Sequence, residues 1–143
     1  MASQLKVDTI TGVSTAGSIS VTGEGNSTTT NMQSGLAKCH MRFNPSTNAT
    51  ISSFNVSSRS DDGTGLATIS FTNSMGNDDY VGHQQSGSTA APTTSTGAYV
   101  TAVYAEATGS VGVAYGYSGS LSGAAWLFHD FINQKFTLHG DLA

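Results

Sequence analysis

Four histidines, His40, His83, His129 and His139, are the side chains of this sequence best suited to metal binding or proton transfer. Their spacing contains no His-x-x-x-His pair, and no cysteine stands beside them at the spacing of a zinc site. Histidines without such neighbours are typical of surface or structural positions. The sequence therefore predicts no metal site and no cofactor.

Two carboxylate pairs, Asp61-Asp62 and Asp78-Asp79, are the other groups with catalytic chemistry. Paired carboxylates can cleave glycosidic bonds or bind calcium. Both pairs fall in predicted turns, where Asp commonly bonds to its own backbone, and this favours a structural role. The single Cys39 lies on the apolar side of a predicted strand, which favours a buried thiol over a reactive thiolate. We therefore expect no catalytic residues and no enzymatic activity.

The overall composition excludes two classes of partner. The chain has 143 residues, a net charge of −4, 10% charged residues and 37% apolar residues. A chain with so few basic residues is a poor ligand for phosphate backbones, so no nucleic-acid partner is expected. No apolar run approaches the roughly 20 residues of a membrane-spanning helix, so no membrane insertion is expected. The N-terminal sequence also lacks the apolar core of a secretory signal.

Residues 37–44, Ala-Lys-Cys-His-Met-Arg-Phe-Asn, form the strand on which the rest of the predicted sheet depends. Alternate residues are apolar, and this period of two predicts one buried and one wet face, with Lys38, His40 and Arg42 on the wet face. A helical stripe that includes Met32 and Leu36 overlaps the start of this stretch. We expect a short helix over residues 31–36 that leads into the strand.

The remaining strands are short and are separated by turns. A break in apolar pattern predicts a bulge near residues 52–53, and Asp62-Gly63 predicts a hairpin. Residues 98–107 are apolar on both faces and are expected at the centre of a sheet, whereas residues 124–132 fit a strand or a helical turn equally. Strands are predicted over residues 37–44, 49–58, 67–71, 98–107, 111–117 and 136–138, with a short one opening at residues 80–81. About seven such strands are typical of an antiparallel β-sandwich or jelly roll.

The small residues that alternate with bulky ones along residues 111–117 give this strand a second expected property. Val111, Val113 and Tyr115 should face the core, while the glycines and alanine between them leave the other face thin. Such a face allows another layer or another chain to approach closely.

The N-terminal part of the chain is predicted to be an attachment segment. Residues 5–24 contain two or three very short strands, which cannot bury a core and need partner chains for pairing. Residues 23–31 are a Gly, Ser and Thr linker, so the sequence divides into residues 1–30, for anchoring and oligomerisation, and a β-sandwich domain over residues 31–143. The candidate contact residues are Leu5, Val7, Ile10, Ile19 and Val21.

Residues 82–96 are rich in Gly, Gln, Ser and Thr and are predicted to form a long loop. Loops on a rigid β scaffold often carry recognition, so His83, Gln84 and Gln85 are candidates for an outward recognition loop. A surface insertion without a function explains the same composition equally well.

Several stretches resemble a structural module of tailed, especially marine, bacteriophages. The residues that carry the resemblance are 53–58 (Ser-Phe-Asn-Val-Ser-Ser), 62–65 (Asp-Gly-Thr-Gly), 69–77 (Ile-Ser-Phe-Thr-Asn-Ser-Met-Gly-Asn) and Tyr80. The strand 37–44, the opening 5–10 and the closing 140–143 are similar to the corresponding parts of these proteins. Residues 82–135 are less similar, and Cys39 and Met41 stand where larger side chains are usual.

The resemblance implies a non-enzymatic virion protein, assembled in the host cytoplasm. It implies a short, homotrimeric, tail-fibre-like appendage that is fixed to other virion proteins by its N-terminal segment and contacts a host surface glycan or protein. The alternative is a capsid decoration or cement protein that stabilises the head lattice. A glycan-degrading tail enzyme is disfavoured by the short chain and by carboxylate pairs that fall in turns.

Overall fold

The computed structural model describes residues 4–12, 19–23, 29–87, 99–118 and 126–142. These residues form an antiparallel β-sandwich, as the turn-punctuated sequence predicts. The chain first forms a two-stranded hairpin of β1 (Ser20–Thr22) and β2 (Thr29–Asn31), followed at once by α1 (Met32–Gly35). The expected short helix before the central strand is confirmed. Part of the expected linker is instead strand β2, because its backbone pairs with β1.

Nine further strands build the two sheets of the sandwich. In chain order they are β3 (Ala37–Asn44), β4 (Ala49–Phe54), β5 (Val56–Gly63), β6 (Leu66–Phe71), β7 (Val81–Gly87), β8 (Tyr99–Ala107), β9 (Ser110–Ser118), β10 (Trp126–Phe128) and β11 (Asn133–His139). The first sheet has the order β4-β3-β11-β7. In the second sheet, β9 pairs with β8 along one side and with β6 and β10 along the other, and β6 also pairs with β5.

The core lies between the two sheets and follows the predicted alternation. From the first sheet, Cys39 and Phe43 are fully buried. From the second sheet, Ile69, Val113 and Tyr115 are also fully buried. The ring of Phe43 meets that of Tyr115 edge-on across the core, with ring centres 5.9 Å apart. Edge-on aromatic pairs of this kind stabilise a core beyond the area they bury.

Asn55 turns the chain from the first sheet to the second. The sequence predicts one strand over residues 49–58, but two strands that belong to different sheets meet here. Asn55 has a φ of 57°, a left-handed conformation that Asn adopts more readily than most residues. Its amide nitrogen donates to the carbonyl oxygen of Asn73 at 3.0 Å, and its side-chain oxygen accepts from the backbone nitrogen of Asn73 at 2.7 Å. The corner is therefore fixed by hydrogen bonds, and the predicted bulge lies nearby, at Ile51.

β7 and β8 close the other side of the sandwich. The hydroxyl of Thr101 on β8 donates to the carbonyl oxygen of Gln84 on β7 at 3.2 Å, which joins an edge of one sheet to an edge of the other. Gly82 lies against Val103, and a Cβ atom at this glycine would stand 2.9 Å from a Val103 methyl group. The close approach of the two edges therefore needs a residue without a side chain at position 82.

Three predictions about individual elements are wrong. The expected loop over residues 82–96 is strand β7 as far as Gly87, because its backbone pairs with β11 over its whole length; residues 88–96 lie outside the described part. β8 lies at the edge of its sheet, and β9 takes the central place expected for it. Lys38, which was predicted on the wet face, is only 8% exposed. The register of β3 with β11 shifts at this position, so that Cys39 and Ala37 pair with successive residues of β11 and Lys38 lies in the irregularity between them.

The undecided stretch over residues 124–132 is a strand at Trp126–Phe128, and residues 124 and 125 lie outside the described part. Residues 4–12 form no strand within the chain. Their expected pairing depends on partner chains.

Candidate functional site

The outward side of the first sheet gathers most of the basic and imidazole groups of the domain. Adjacent strands place these side chains in rows, because paired residues of neighbouring strands point to the same face. We call this surface the basic face, and its members are His40, Arg42, Lys135, Thr137, His139, His83 and Gln85. None of the four strands of this sheet contains an aspartate or a glutamate. In a chain with a net charge of −4, this is a local excess of positive charge.

A shallow depression of about 350 Å³ lies on the basic face between β7 and β11. Its walls are the side chains of His83 and Gln85 on β7 and of Lys135 and Thr137 on β11. The buried Phe136 stands between Lys135 and Thr137 in the chain. The depression therefore presents two cationic or ionisable groups and two neutral hydrogen-bonding groups to solvent. Such a set of side chains suits an anionic or polyhydroxylated ligand better than an apolar one.

Arg42 and Lys135 stand directly opposite each other in the pairing of β3 with β11. Like charges at directly opposed positions destabilise a sheet. The Nε atom of Arg42 donates to the side-chain oxygen of Asn133 at 3.0 Å, and this bond restrains the guanidinium group. A like-charge pair of this kind is a local cost that native proteins often retain where function requires it.

Phe54 supplies an aromatic surface at the β4 end of the basic face. It pairs with His40 across β3 and β4, and the two rings are stacked with centres 5.7 Å apart. Phe54 is 51% exposed, so one large apolar surface remains open to solvent beside the basic groups.

The outward side of the second sheet carries a different feature, an apolar cleft of about 250 Å³. Its floor is the thin face of β9, where Gly112, Ala114 and Gly116 alternate with core residues, as the sequence predicts. We call it the apolar cleft, and it is lined by Leu66, Ala102, Tyr104, Ala114, Trp126 and Phe128. Trp126 and Phe128 remain 37% and 47% exposed, which is unusual for side chains of this size. Contiguous apolar surface that stays open is characteristic of interaction sites.

The five predicted contact residues near the N-terminus fall into two groups. Leu5, Val7 and Ile10 lie in residues 4–12 and are 82%, 53% and 54% exposed. Val21 lies on β1 and is 50% exposed, whereas Ile19 is partly buried and its carbonyl oxygen accepts a hydrogen bond of 2.8 Å from the backbone nitrogen of Met32. Four of the five side chains are thus open to contact with another chain.

The predicted recognition residues His83, Gln84 and Gln85 lie on strand β7. Two of them, His83 and Gln85, point outward into the depression of the basic face, while the amide group of Gln84 is buried. Lys135 and Thr137, which complete the depression, were not predicted. Lys135 and Thr137 alternate with the apolar Phe136 and Leu138 in the sequence, but only the pairing of β11 with β7 shows that they join His83.

Burial favours the neutral form of three ionisable side chains of the core, Cys39, Tyr80 and Tyr115. Burial raises the pKa of the Cys39 thiol to about 12, so this thiol is neutral at physiological pH. Burial is also the main reason why the pKa of Tyr115 and that of Tyr80 are raised. The Tyr80 hydroxyl donates to the carbonyl oxygen of Ser110 at 3.0 Å, which gives it a structural role.

Within the described ranges, no three His, Cys, Asp or Glu side chains are grouped closely enough to bind a metal ion. No helix of the described part has the length and hydrophobicity that crossing a membrane would require. The carboxylates of Asp61 and Asp62 bond locally: Asp61 accepts from the backbone nitrogen of Gly63 at 3.1 Å, and Asp62 accepts from the hydroxyls of Ser60 and Thr68 at 2.8 and 2.6 Å. The two aspartates lie at the end of β5 and not in the turn itself, and the bond from Thr68 of β6 joins the two strands of the hairpin.

No protein-family model, no curated protein and no solved structure matches this chain.

Proposed function

We propose that this chain is a non-enzymatic structural protein of a tailed-bacteriophage virion, as its sequence resemblance implies. In this proposal it forms a short, homotrimeric, tail-fibre-like appendage that contributes to host attachment. Its N-terminal segment contacts other virion proteins, and its β-sandwich faces outward.

The observation that carries the proposal is the exposure of apolar side chains in residues 4–12. Leu5 is 82% exposed and Val7 is 53% exposed, on a stretch that pairs as a strand with none of the residues that the structure describes. A stretch with exposed apolar side chains gains stability when it packs against another chain. This property suits a segment that is buried on assembly with copies of itself or with a neighbouring virion protein.

The basic face supports the second part of the proposal, contact with a host surface. It is a broad outward surface on a rigid sheet, with a shallow depression and not a deep enclosed pocket. A shallow site binds weakly, and several copies held together in a trimer bind far more tightly than one.

The apolar cleft favours a second candidate function, that of a capsid decoration or cement protein. Trp126 and Phe128 beside the thin face of β9 offer an apolar surface against which a neighbouring subunit can pack. A protein that binds only the assembled lattice raises the stability of that lattice by mass action.

Electron cryomicroscopy of the particles of a phage that encodes the protein, with antibody fragments raised against the β-sandwich as labels, tests the proposal. Labels confined to the tail are expected for the appendage, and labels spread over the head identify the cement function. Particles without any label would refute a virion role.

A variant with Leu5→Asp and Val7→Asp should fail to enter particles, because charged side chains cannot be buried in the contact. Ser58→Asp combined with Ser74→Asp is the matched control, since it adds the same two charges at exposed polar residues outside the segment. Normal incorporation of the variant with Leu5→Asp and Val7→Asp would show that the segment does not anchor the protein.

A further inference from the structure

We infer that the basic face is a binding site for a linear acidic polysaccharide, one that carries carboxylate or sulfate groups along its length. The inference rests on the proposed function of host attachment and names the class of ligand that this surface would recognise. It is carried by the charge distribution of the first sheet, by the register of Arg42 with Lys135 and by the depression beside them.

The charge distribution is one-sided. The basic face contains two of the five Lys and Arg residues of the chain and three of its four histidines, while its four strands contain none of the nine carboxylates. The cationic side chains of the basic face therefore have no carboxylate on the strands that carry them. A ligand with negative groups is the complement of such a surface.

The register concentrates this charge at one place. Arg42 and Lys135 are directly opposed, and the next residue in the same row is Gln85 on β7. The bond from Arg42 to Asn133 holds the guanidinium group in position, which lowers the entropy cost of binding an anion. An anionic group placed between the two cations would convert their mutual repulsion into two attractions.

The neutral groups of the surface favour a saccharide over other polyanions. Thr137 and Gln85 can donate to and accept from sugar hydroxyls, and exposed Phe54 offers a flat apolar surface of the kind on which sugar rings pack. Neighbouring strands lie about 4.8 Å apart, so β3, β11 and β7 together span about 10 Å, the width of a short oligosaccharide. Duplex DNA fits less well, because proteins bind it through many phosphate contacts and the basic face offers only two Lys and Arg side chains, Arg42 and Lys135.

Biolayer interferometry with the full chain and immobilised polysaccharides tests the inference. The probes are dextran sulfate, neutral dextran of the same length, and double-stranded DNA. We expect binding to dextran sulfate that weakens as salt is added, and no binding to neutral dextran. Arg42→Gln combined with Lys135→Gln should weaken the binding at least about tenfold, the factor that corresponds to losing about 1.4 kcal/mol of interaction.

Ser58→Asp combined with Ser74→Asp is the matched control, because it also lowers the net charge by two, at exposed positions outside the basic face and outside the N-terminal segment. It should leave the affinity unchanged, and both double variants should keep the solution mass of the unmodified chain. An equal loss in this control, or unchanged binding in Arg42→Gln with Lys135→Gln, would overturn the inference. Binding to DNA as tight as that to dextran sulfate would overturn the choice of a saccharide. A chain that binds none of the probes would also overturn the inference, yet would leave the virion role standing, since that role is decided by labelled particles.

Discussion

Replacing Lys135 with glutamate should make the folded chain more stable while removing its affinity for acidic polysaccharide. Arg42 and Lys135 are directly opposed on β3 and β11, so their Cβ atoms are about 5 Å apart. At this separation two unit charges interact by roughly 0.8 kcal/mol in water. Lys135→Glu removes a repulsion of up to this size and adds an attraction of the same size. Because flexible side chains hold their charged ends further apart, we expect a net gain of about 1 kcal/mol.

Urea denaturation in low and in high salt measures this gain. The free energy of unfolding should rise in Lys135→Glu at about 20 mM salt, with an unchanged dependence on urea concentration, and most of the gain should vanish at about 1 M salt. Lys135→Gln, which removes only the repulsion, should give roughly half the gain. Combining Arg42→Gln with Lys135→Glu should abolish the attraction and return the stability close to that of Lys135→Gln.

A Lys135→Glu variant that is less stable than the unmodified chain at low salt would refute this reasoning. So would a gain that is the same with and without Arg42. Either result would mean that the two charges do not interact across the strands, and the argument that the sheet retains a costly like-charge pair for ligand binding would fail.

Three further predictions concern the core, the corner and the apolar cleft. Between about pH 9 and pH 10 the ionisation of Cys39 should lower the free energy of unfolding by about 1 kcal/mol, because the unfolded thiol ionises near 9.0 whereas burial raises its folded pKa to about 12. In denaturation curves Cys39→Ala should lose this contribution and keep only the smaller fall that the buried Tyr80 and Tyr115 cause. Asn55→Ala should cost about 2 kcal/mol through strain at positive φ and lost bonds to Asn73, whereas Asn55→Gly, which keeps the conformation, should cost less in the same assay. Gly116→Ala should lower the free energy of unfolding by about 1–3 kcal/mol, since its new methyl group would overlap the backbone of β10. Gly112→Ala, whose methyl group would meet only the partly exposed ring of Tyr104, should change it by less than about 1 kcal/mol. Equal losses in the two variants would contradict this account of the cleft floor.

Strands with one wet and one buried face were predictable from the sequence. The sequences of β3 and β6 alternate between apolar and polar residues, and apolar residues such as Met41 and Ile69 are buried as expected. The short helix before β3 was also predicted, since polar residues precede it and the apolar spacing changes there. In these elements the local pattern and the tertiary packing require the same structure.

β7 could not be predicted because its own residues do not favour a strand. The strand contains a single β-branched residue in the sequence Val-Gly-His-Gln-Gln-Ser-Gly. Its extended conformation is determined by pairing with β11. The position of β8 was wrongly predicted for a different reason: β8 is apolar on both faces, but of its residues Val103 is the one that packs against the core of the described residues. Its other face, with Ala102 and Tyr104, lines the open apolar cleft.

The candidate site depends on relations that a single strand does not contain. The basic side of β3 was visible in the sequence, but Lys135 and His83 join it only through the pairing of strands far apart in the chain. Lys38 shows the opposite case, since a register shift removes a residue that alternation had placed on the wet face.

The central claim is that the N-terminal segment exposes apolar residues that are covered only when copies assemble. Sedimentation equilibrium of the full chain measures this directly. The account predicts a species of three times the 14.6 kDa chain mass, which dissociates when Leu5 and Val7 are replaced with aspartate. A chain that remains monomeric at concentrations of tens of micromolar, with or without those substitutions, would contradict it.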